Sequence, residues 1–530
     1  MSRPKIAPYI KVYGSMFVSN ERTRITIKMG RQVVCLVLIA LLATVIYFRV
    51  SLAYFCGYDD FLETRRAALV DRFNPRAVFT TPHFESFKYR PLNRAVNLAT
   101  YLSLPGEALP FRLRNLAFHE LAGAGVYILA FLLFESWPTA CLAALLFVIH
   151  PLANQSVDGA VWTNTTANSI FLFSVVFFLL AIRRRHIGLL ILSAVCAVVD
   201  VLLYEAAIML PVLMTVWWAV DCFANKRLPN LRYLAVFLVA NFTLFGCYLL
   251  LRQQVIHGAR TAITPPLLLI KALTEYGVAL FLPFDLVLAN AWFHSPLPSE
   301  LQGGVIAKAV LPLAAILLAL IALGAWIYRR QMARVMTQLG WPNVALLVSA
   351  MILSILPLVV FSDHVSETYL YLPVAFFCIL LARLLLLIPS AVSRNSIAVV
   401  LVFLFFCATW VRNERVRACG TDSRRILSTL AAARFQDGQW TMEVAKTPGT
   451  VTPLHFGIYN YHGLDTLGSG DGGLGIFGLQ GVEAAVQMKA RNPRLTVNVR
   501  SPDELRADCE HPAANQACFW VAPDGKVSEF

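Results

Sequence analysis

Two adjacent carboxylates, Asp59 and Asp60, stand immediately after an apolar stretch running from about Val33 to Phe55. Paired acids at such a boundary suit proton transfer. One accepts a proton from an incoming hydroxyl while its neighbour holds a second hydroxyl or a divalent metal ion, magnesium or manganese, with Asp60 the candidate ligand. The bland alternative is a solvated boundary beyond an apolar segment. Downstream come Lys88-Tyr89-Arg90-Pro91-Leu92, then Arg94, Arg112, Arg114 and His119. A guanidinium offers a planar fork of donors that matches phosphate oxygens, so Lys88, Arg90, Arg112 and Arg114 are candidates for holding a lipid phosphate. The same side chains would otherwise lie along the apolar boundary and pair with Asp59, Glu63, Asp71 or Glu85. Polar groups recur at the ends of other apolar stretches: His150-Pro151, Tyr204-Glu205, and Asp363-His364 with Glu367-Thr368-Tyr369-Leu370-Tyr371. Ionisable residues there are costly unless they pair or line a cavity. A shared polar chamber, lined by Tyr89, His150, Glu205, His364 and Glu367, accounts for them together.

Composition says which elements must position these side chains. The 530 residues are 58% hydrophobic and 14% charged, with a mean hydropathy of +0.63. Repeated apolar runs of roughly 20 residues are each long enough to cross a hydrocarbon core of about 30 Å. A nucleic-acid-binding protein or cytosolic enzyme is thereby excluded, despite a net charge of +14. From Arg412 onward 13 Lys and Arg balance 13 Asp and Glu, so the basic surplus belongs to the membrane part. The first 31 residues carry seven Lys or Arg against Glu21 alone, which reads as an uncleaved signal anchor with a cytoplasmic N-terminus.

Eleven spans are expected, at about 33–55, 113–135, 137–152, 160–182, 187–203, 205–221, 232–251, 304–328, 344–361, 369–388 and 396–411. Arg183-Arg184-Arg185 and Lys226-Arg227 then fall inside, as the positive-inside tendency requires. Residues 265–284 contain Lys271 and Glu275 and are bracketed by Pro265, Pro266 and Pro283. They read as part of an outer-face segment, 252–303, which keeps Arg329, Arg330 and Arg334 inside. The expected fold is an all-α polytopic membrane protein with a small α+β domain at its C-terminal end. Its parts are a basic cytoplasmic segment (1–32), a transmembrane domain (33–411) with a first outer loop at 56–111, and a soluble extracytoplasmic domain (412–530).

Eight of the 11 cysteines fall in or beside apolar runs, where a small buried hydrophobe is the expected role. Cys509 and Cys518 lie in the polar tail, close enough in sequence to bridge in an oxidising compartment. Gly468-Ser469-Gly470-Asp471-Gly472-Gly473 lacks the flanking strand and helix of a nucleotide-binding loop and reads as a turn-rich loop.

Over roughly residues 54–425 the sequence resembles the GT-C superfamily of polytopic glycosyltransferases, on the branch of protein O-mannosyltransferases and transmembrane tetratricopeptide-repeat mannosyltransferases. The resemblance rests on Tyr58-Asp59-Asp60, Tyr89-Arg90-Pro91-Leu92, and Phe147-Val148-Ile149-His150-Pro151 followed by Val161-Trp162. It also rests on Tyr204-Glu205 ahead of Pro211, Glu367-Thr368-Tyr369-Leu370-Tyr371-Leu372-Pro373, and Arg412-Asn413-Glu414. It implies a sugar donor carried on a polyprenyl phosphate, an acceptor hydroxyl on a protein such as pilin or on a glycan, and Asp59 or Asp60 as general base. Lys88, Arg90, Arg112, Arg114 and Tyr369 would hold the donor phosphate. A bacterial inner-membrane setting with a periplasmic tail follows, with arabinofuranose or mannose as transferred sugars. The chain departs from the family in having no helical repeats in its tail, Tyr204 where a basic residue is common, and Asn164-Thr165-Thr166 where an Arg is expected. The alternatives are a flippase for lipid-linked sugars or another transporter, and a scaffold whose tail binds a partner. The long first outer loop and the tail domain speak against transport.

Overall fold

The computed structural model describes residues 25–55, 58–68, 74–80, 89–225, 231–256, seven positions between 266 and 280, 338–360, 367–446, 481–522 and 526–529. Within these residues eight helices are long and apolar enough to cross a membrane, and a bent pair makes a ninth candidate. The expected span at 304–328 and the segment 281–303 lie outside the described residues.

The chain starts with α1 (Ile25–Ser51) and continues into the segment before α5, which carries α2 (Tyr58–Ala68), α3 (Pro75–Thr80) and α4 (Pro91–Ser103). It returns through α5 (Leu109–Phe134), which stops where Glu135 takes the left-handed conformation at φ 49°. Ser136 then caps α6 (Trp137–Val148) by accepting from the Thr139 amide. The expected span 137–152 does not continue straight. It breaks at Ile149-His150-Pro151 and resumes, bent by 53°, as a 3-10 turn over Pro151–Ala153 and the short α7 (Asn154–Asp158). Pro151 has no amide to donate, and the His150 ring caps the new turn by accepting from the Leu152 amide.

Next come α8 (Asn164–Arg184) and α9 (Ile187–Leu203), joined tightly through a left-handed Arg185, then a 3-10 turn over Glu205–Met209, α10 (Leu210–Asn225) and α11 (Leu231–Val255). The bundle is completed by α12 (Trp341–Val360), α13 (Tyr371–Leu386) and α14 (Ala391–Leu430). At 1.5 Å per residue α14 is about 60 Å long, twice the hydrocarbon thickness. The composition change after Val411 therefore marks where this helix leaves the apolar layer; the helix itself runs on to Leu430. Cys35 and Cys141, read from sequence as apolar fillers, are instead bonded to each other and tie α1 to α6.

The tail is a four-stranded mixed sheet of β1 (Thr441–Lys446), β2 (Thr496–Arg500), β3 (Gln516–Val521) and β4 (Val527–Glu529), in the order β2-β1-β3-β4. Strand β1 is parallel to β2 and β3, and β4 is antiparallel to β3. Helix α15 (Gly481–Ala490) precedes β2, and α16 (Pro502–Cys509) follows it with a Ser501–Glu504 capping box. Cys509 and Cys518 are bonded, joining α16 to β3. The domain docks on the segment between α1 and α5 through α15 against α2.

One feature of the bundle fixes the geometry of everything near α7. The segment 157–162 leaves the helix with its carbonyls unpaired by helical amides, and α5 supplies donors for them. Arg112 is 2% exposed and donates from Nη1 to Asp158 O at 2.5 Å, from Nε to Ala53 O at 3.0 Å and from Nη2 to Tyr54 O at 2.9 Å. Asn115 donates to Gly159 O at 2.7 Å, and Arg114 donates to Ala160 O and Trp162 O at 3.1 Å each. Replacing Arg112 by Met removes the side-chain donor from three carbonyls and is expected to cost on the order of 3 kcal/mol. Thermal unfolding of the detergent-solubilised chain checks this; an unchanged midpoint would show that the clamp is not structural.

Candidate active site

Helix α4 organises the site. Pro91 occupies its first turn, where no amide is needed, and Arg90 is its N-cap residue. From there Arg90 reaches a residue 115 positions away: its Nε and Nη2 donate to the two carboxylate oxygens of Glu205 at 2.5 and 2.7 Å. Burial alone would weaken the Arg90 cation, but the adjacent Glu205 carboxylate outweighs it and raises the guanidinium pKa, so the pair stays ionic. The guanidinium also lies over the Tyr204 ring, 4.6 Å from its centroid. Its third nitrogen, Nη1, has no hydrogen-bond acceptor among the described residues. The fork is thus held on one edge and open on the other.

Glu205 is placed by a chain reversal. Tyr204 is extended, at φ −156° and ψ 125°, and turns the chain out of α9 into the 3-10 turn that Glu205 begins. Around the pair stand further tyrosines. Tyr89 is buried and donates to Phe79 O at 3.1 Å, while Tyr248 of α11 donates to Tyr89 O at 3.2 Å with the rings 5.7 Å apart. Tyr369 is half-buried and packs with Tyr204 and Leu358.

Asp60 joins this region through hydrogen bonds. It is 3% exposed, on the inward face of α2, and its Oδ1 accepts from the Val161 amide at 3.2 Å. Two residues on, Thr163 Oγ1 accepts from Asn93 Nδ2 at 2.6 Å, and Asn93 lies three residues after Arg90 on α4. Asn97, one turn further, donates to Asn93 Oδ1 at 3.0 Å and to Glu63 Oε2 at 3.4 Å, while its own Oδ1 accepts from Arg114 Nη1 at 2.7 Å. Asn93 and Asn97 form a buried polar stripe at helical spacing, satisfied on both sides. Carboxylate and guanidinium are therefore registered to each other through one helix and one clamped loop.

The structure thus connects Asp60, Tyr89, Arg90, Glu205 and Tyr369. It gives Arg112 and Arg114 a different occupation from phosphate binding, since Arg112 donates to the carbonyls of Ala53, Tyr54 and Asp158, and Arg114 to Asn97, Asn115 and the carbonyls of Ala160 and Trp162. His150 does not line a chamber with them. It is fully buried, packed edge-on against Phe405 at 4.5 Å, and engaged as the cap of Pro151–Ala153. His119 is likewise structural, bonded to Tyr371 at 2.7 Å and Val148 O at 3.0 Å. Lys88 and His364 lie outside the described residues, as do the side chains of Asp59 and Glu367. Among the described residues no group of three or more His, Cys, Asp or Glu could hold a metal ion. Asp60 by itself offers a single carboxylate already bonded to an amide. Reading the sequence for ionisable groups misses Asn93, Asn97 and Tyr248; the i, i+4 asparagines carry a helical signal, whereas Tyr248 sits unmarked in an apolar run.

No family model matches the chain, and no curated protein matches it. Among solved structures it is similar to the oligosaccharyltransferase of Archaeoglobus fulgidus, solved with a tethered acceptor peptide, at 13% identity and a TM-score of 0.47 over 78% of this chain and 62% of that one. It is similar to ArnT from Cupriavidus metallidurans bound to undecaprenyl phosphate, at 15% identity and a TM-score of 0.41 over 93% of each chain. It is also similar to the arabinofuranosyltransferase AftD from mycobacteria, at 14% identity and a TM-score of 0.41 over 89% of this chain and 32% of that one. The chain spans less than two thirds of the length of the archaeal protein.

Proposed function

We propose that the chain is a GT-C glycosyltransferase that moves a sugar from a polyprenyl phosphate to an acceptor hydroxyl on the outer face of a bacterial inner membrane. The observation that carries the reading is the Arg90–Glu205 pair. A guanidinium gripped along one edge by a carboxylate, backed by an aromatic ring and open at Nη1, is preorganised to receive a phosphate oxygen. Glu205 fixes its direction, so little rotamer freedom remains to be lost when the anion arrives.

The reaction then follows from the residues at hand. The Asp59-Asp60 pair supplies the base, and Asp60 is aimed by the Val161 amide. The carboxylate takes the proton of the acceptor hydroxyl, and the hydroxyl oxygen attacks the anomeric carbon of the donor. The bond from that carbon to the phosphate oxygen breaks in the same displacement, and the electron pair leaves with the polyprenyl phosphate. Arg90 stabilises the negative charge that develops there. The displacement inverts the anomeric centre. Half-buried Tyr369 offers an aromatic face of the kind that sugars and isoprenoid carbons pack against, backed by the buried Tyr89, Tyr204 and Tyr248.

Four substitutions test this. Asp60→Asn and Asp59→Asn should insert normally, and at least one should abolish sugar transfer, read by mass spectrometry of glycans and lipid-linked sugars from cells carrying each variant. Unchanged glycosylation in both would eliminate the base. Arg90→Ala should weaken binding of polyprenyl phosphate to the purified chain by roughly tenfold or more, the worth of one charge-assisted hydrogen bond, and Arg90→Lys should recover only part of it. Equal affinity would remove Arg90 from the donor site.

A further inference from the structure

We propose that the chain carries a second phosphate-binding site, for the headgroup of an anionic phospholipid, in a cavity of about 640 Å³ between the end of α1 and the polar half of α14. Four guanidiniums line it, Arg49 from α1 and Arg417, Arg424 and Arg425 from α14, and no acid does. All four side chains are roughly half exposed, so a ligand can reach them. Their carboxylate partners stand outside the lining. Glu414 accepts from both Arg49 and Arg417, at 2.8 Å each, which leaves that trio one positive charge in excess. Arg424 pairs with Glu107 and lies over the Tyr54 ring at 4.9 Å, with Lys489 approaching the same ring at 5.4 Å. The concentration of cations at one cavity attracts an anion, and guanidiniums select oxyanions that accept along two edges.

The surroundings specify a lipid. Leu52 lines the cavity and is 59% exposed, and Val45 and Phe48 continue the same outward stripe of α1 down its apolar length. On α14 the basic half follows directly on Trp410, over whose ring Arg49 lies at 5.6 Å, and on the outward Phe403 and Val399. A cationic cavity thus caps two lipid-facing apolar stripes, with an indole at their junction where such rings settle in the head-group layer. A phosphate seated among the arginines would leave acyl chains lying along the stripes. The backbone contact that shapes the cavity is tight: a Cβ on Gly420 would come within 2.8 Å of both Tyr54 N and Tyr54 O. The lining of this cavity shares no residue with the Arg90–Glu205 site.

The test uses the full-length chain in nanodiscs of phosphatidylcholine with and without phosphatidylglycerol, read by native mass spectrometry of retained lipid. Arg417 and Arg425 are half exposed and their ion pairs with Glu414 and Asp422 lie one turn away on the same helix surface, so the double variant Arg417→Gln, Arg425→Gln is expected to keep the fold. The wild-type chain should retain one phosphatidylglycerol that the double variant holds about tenfold or more weakly, with removal of equal charge by Arg494→Gln and Arg506→Gln having no such effect. Phosphatidylglycerol should also raise the unfolding temperature of the wild type and not of the double variant, whose binding of polyprenyl phosphate should be unchanged. Equal retention by the wild type and the double variant overturns the site. Displacement of the lipid by millimolar inorganic phosphate overturns the commitment to a lipid, and loss of polyprenyl phosphate binding in the double variant overturns its separation from the donor site.

Discussion

A chain that breaks a helix in or near a bilayer must find partners for the backbone groups it releases, because little water is there to take them. The break at Ile149-His150-Pro151 and the irregular segment after α7 create that demand, and the first turns of α5 meet it. Arg112, Arg114 and Asn115 together donate to carbonyls of Asp158, Gly159, Ala160 and Trp162. The cost of burying two arginines is offset because each guanidinium nitrogen finds an acceptor. This clamp makes the loop rigid, and a rigid loop can present the Val161 amide to Asp60 and Thr163 to Asn93.

The same side-chain type is thereby used in two ways within one layer. Arg112 gives its hydrogen bonds to backbone carbonyls, with the buried Asp158 carboxylate close enough to interact with its charge. Arg90 is paired with a carboxylate along one edge, and its Nη1 has no acceptor among the described residues. The use of the donors distinguishes the two. A guanidinium saturated by carbonyls has no donor to give a ligand, whereas one paired side-on retains Nη1 and an orientation fixed by Glu205. Under the proposed function, this geometry favours Arg90 over Arg112 as the residue that would meet a phosphate.

Much of this plan is legible in the amino-acid sequence, and the limits have physical reasons. Apolar run length locates most of the spans, and His150-Pro151 marks where the third one ends, since a proline after an apolar run removes a helical donor; that the chain resumes there as a bent second piece does not show in the sequence. The acids after α1 and the arginine before Pro91 stand out by type. Two things do not follow from a linear reading. Arginines that bind carbonyls and arginines that bind phosphate look identical until their acceptors are known, so Arg112 and Arg114 could not be separated from Arg90. Nor does a composition change mark a helix end: beyond Val411 the sequence turns polar, yet Glu414–Arg417 and Asp422–Arg425 pairs at i, i+3 keep α14 helical to Leu430. The bond between Cys35 and Cys141 is similarly invisible, because 106 residues separate two cysteines that each look like ordinary core.

The helix that carries Asp59 and Asp60 has 11 residues and a mostly polar composition, and such a segment would be barely helical in water by itself. Its order must come from packing. Three contacts from three directions supply it: Asp60 to the clamped loop, Glu63 to Asn97 of α4, and the side of α2 against α15 of the tail domain. Proton abstraction requires the base to hold its distance to the reacting oxygen closely, since small misplacements cost large factors in rate. The tail domain therefore contributes to the geometry of the carboxylate helix through the α2–α15 contact even though none of its described side chains meets the Arg90–Glu205 pair. The helical bundle and the C-terminal sheet domain are in that sense two walls of one support, and α2 is the element they jointly hold still.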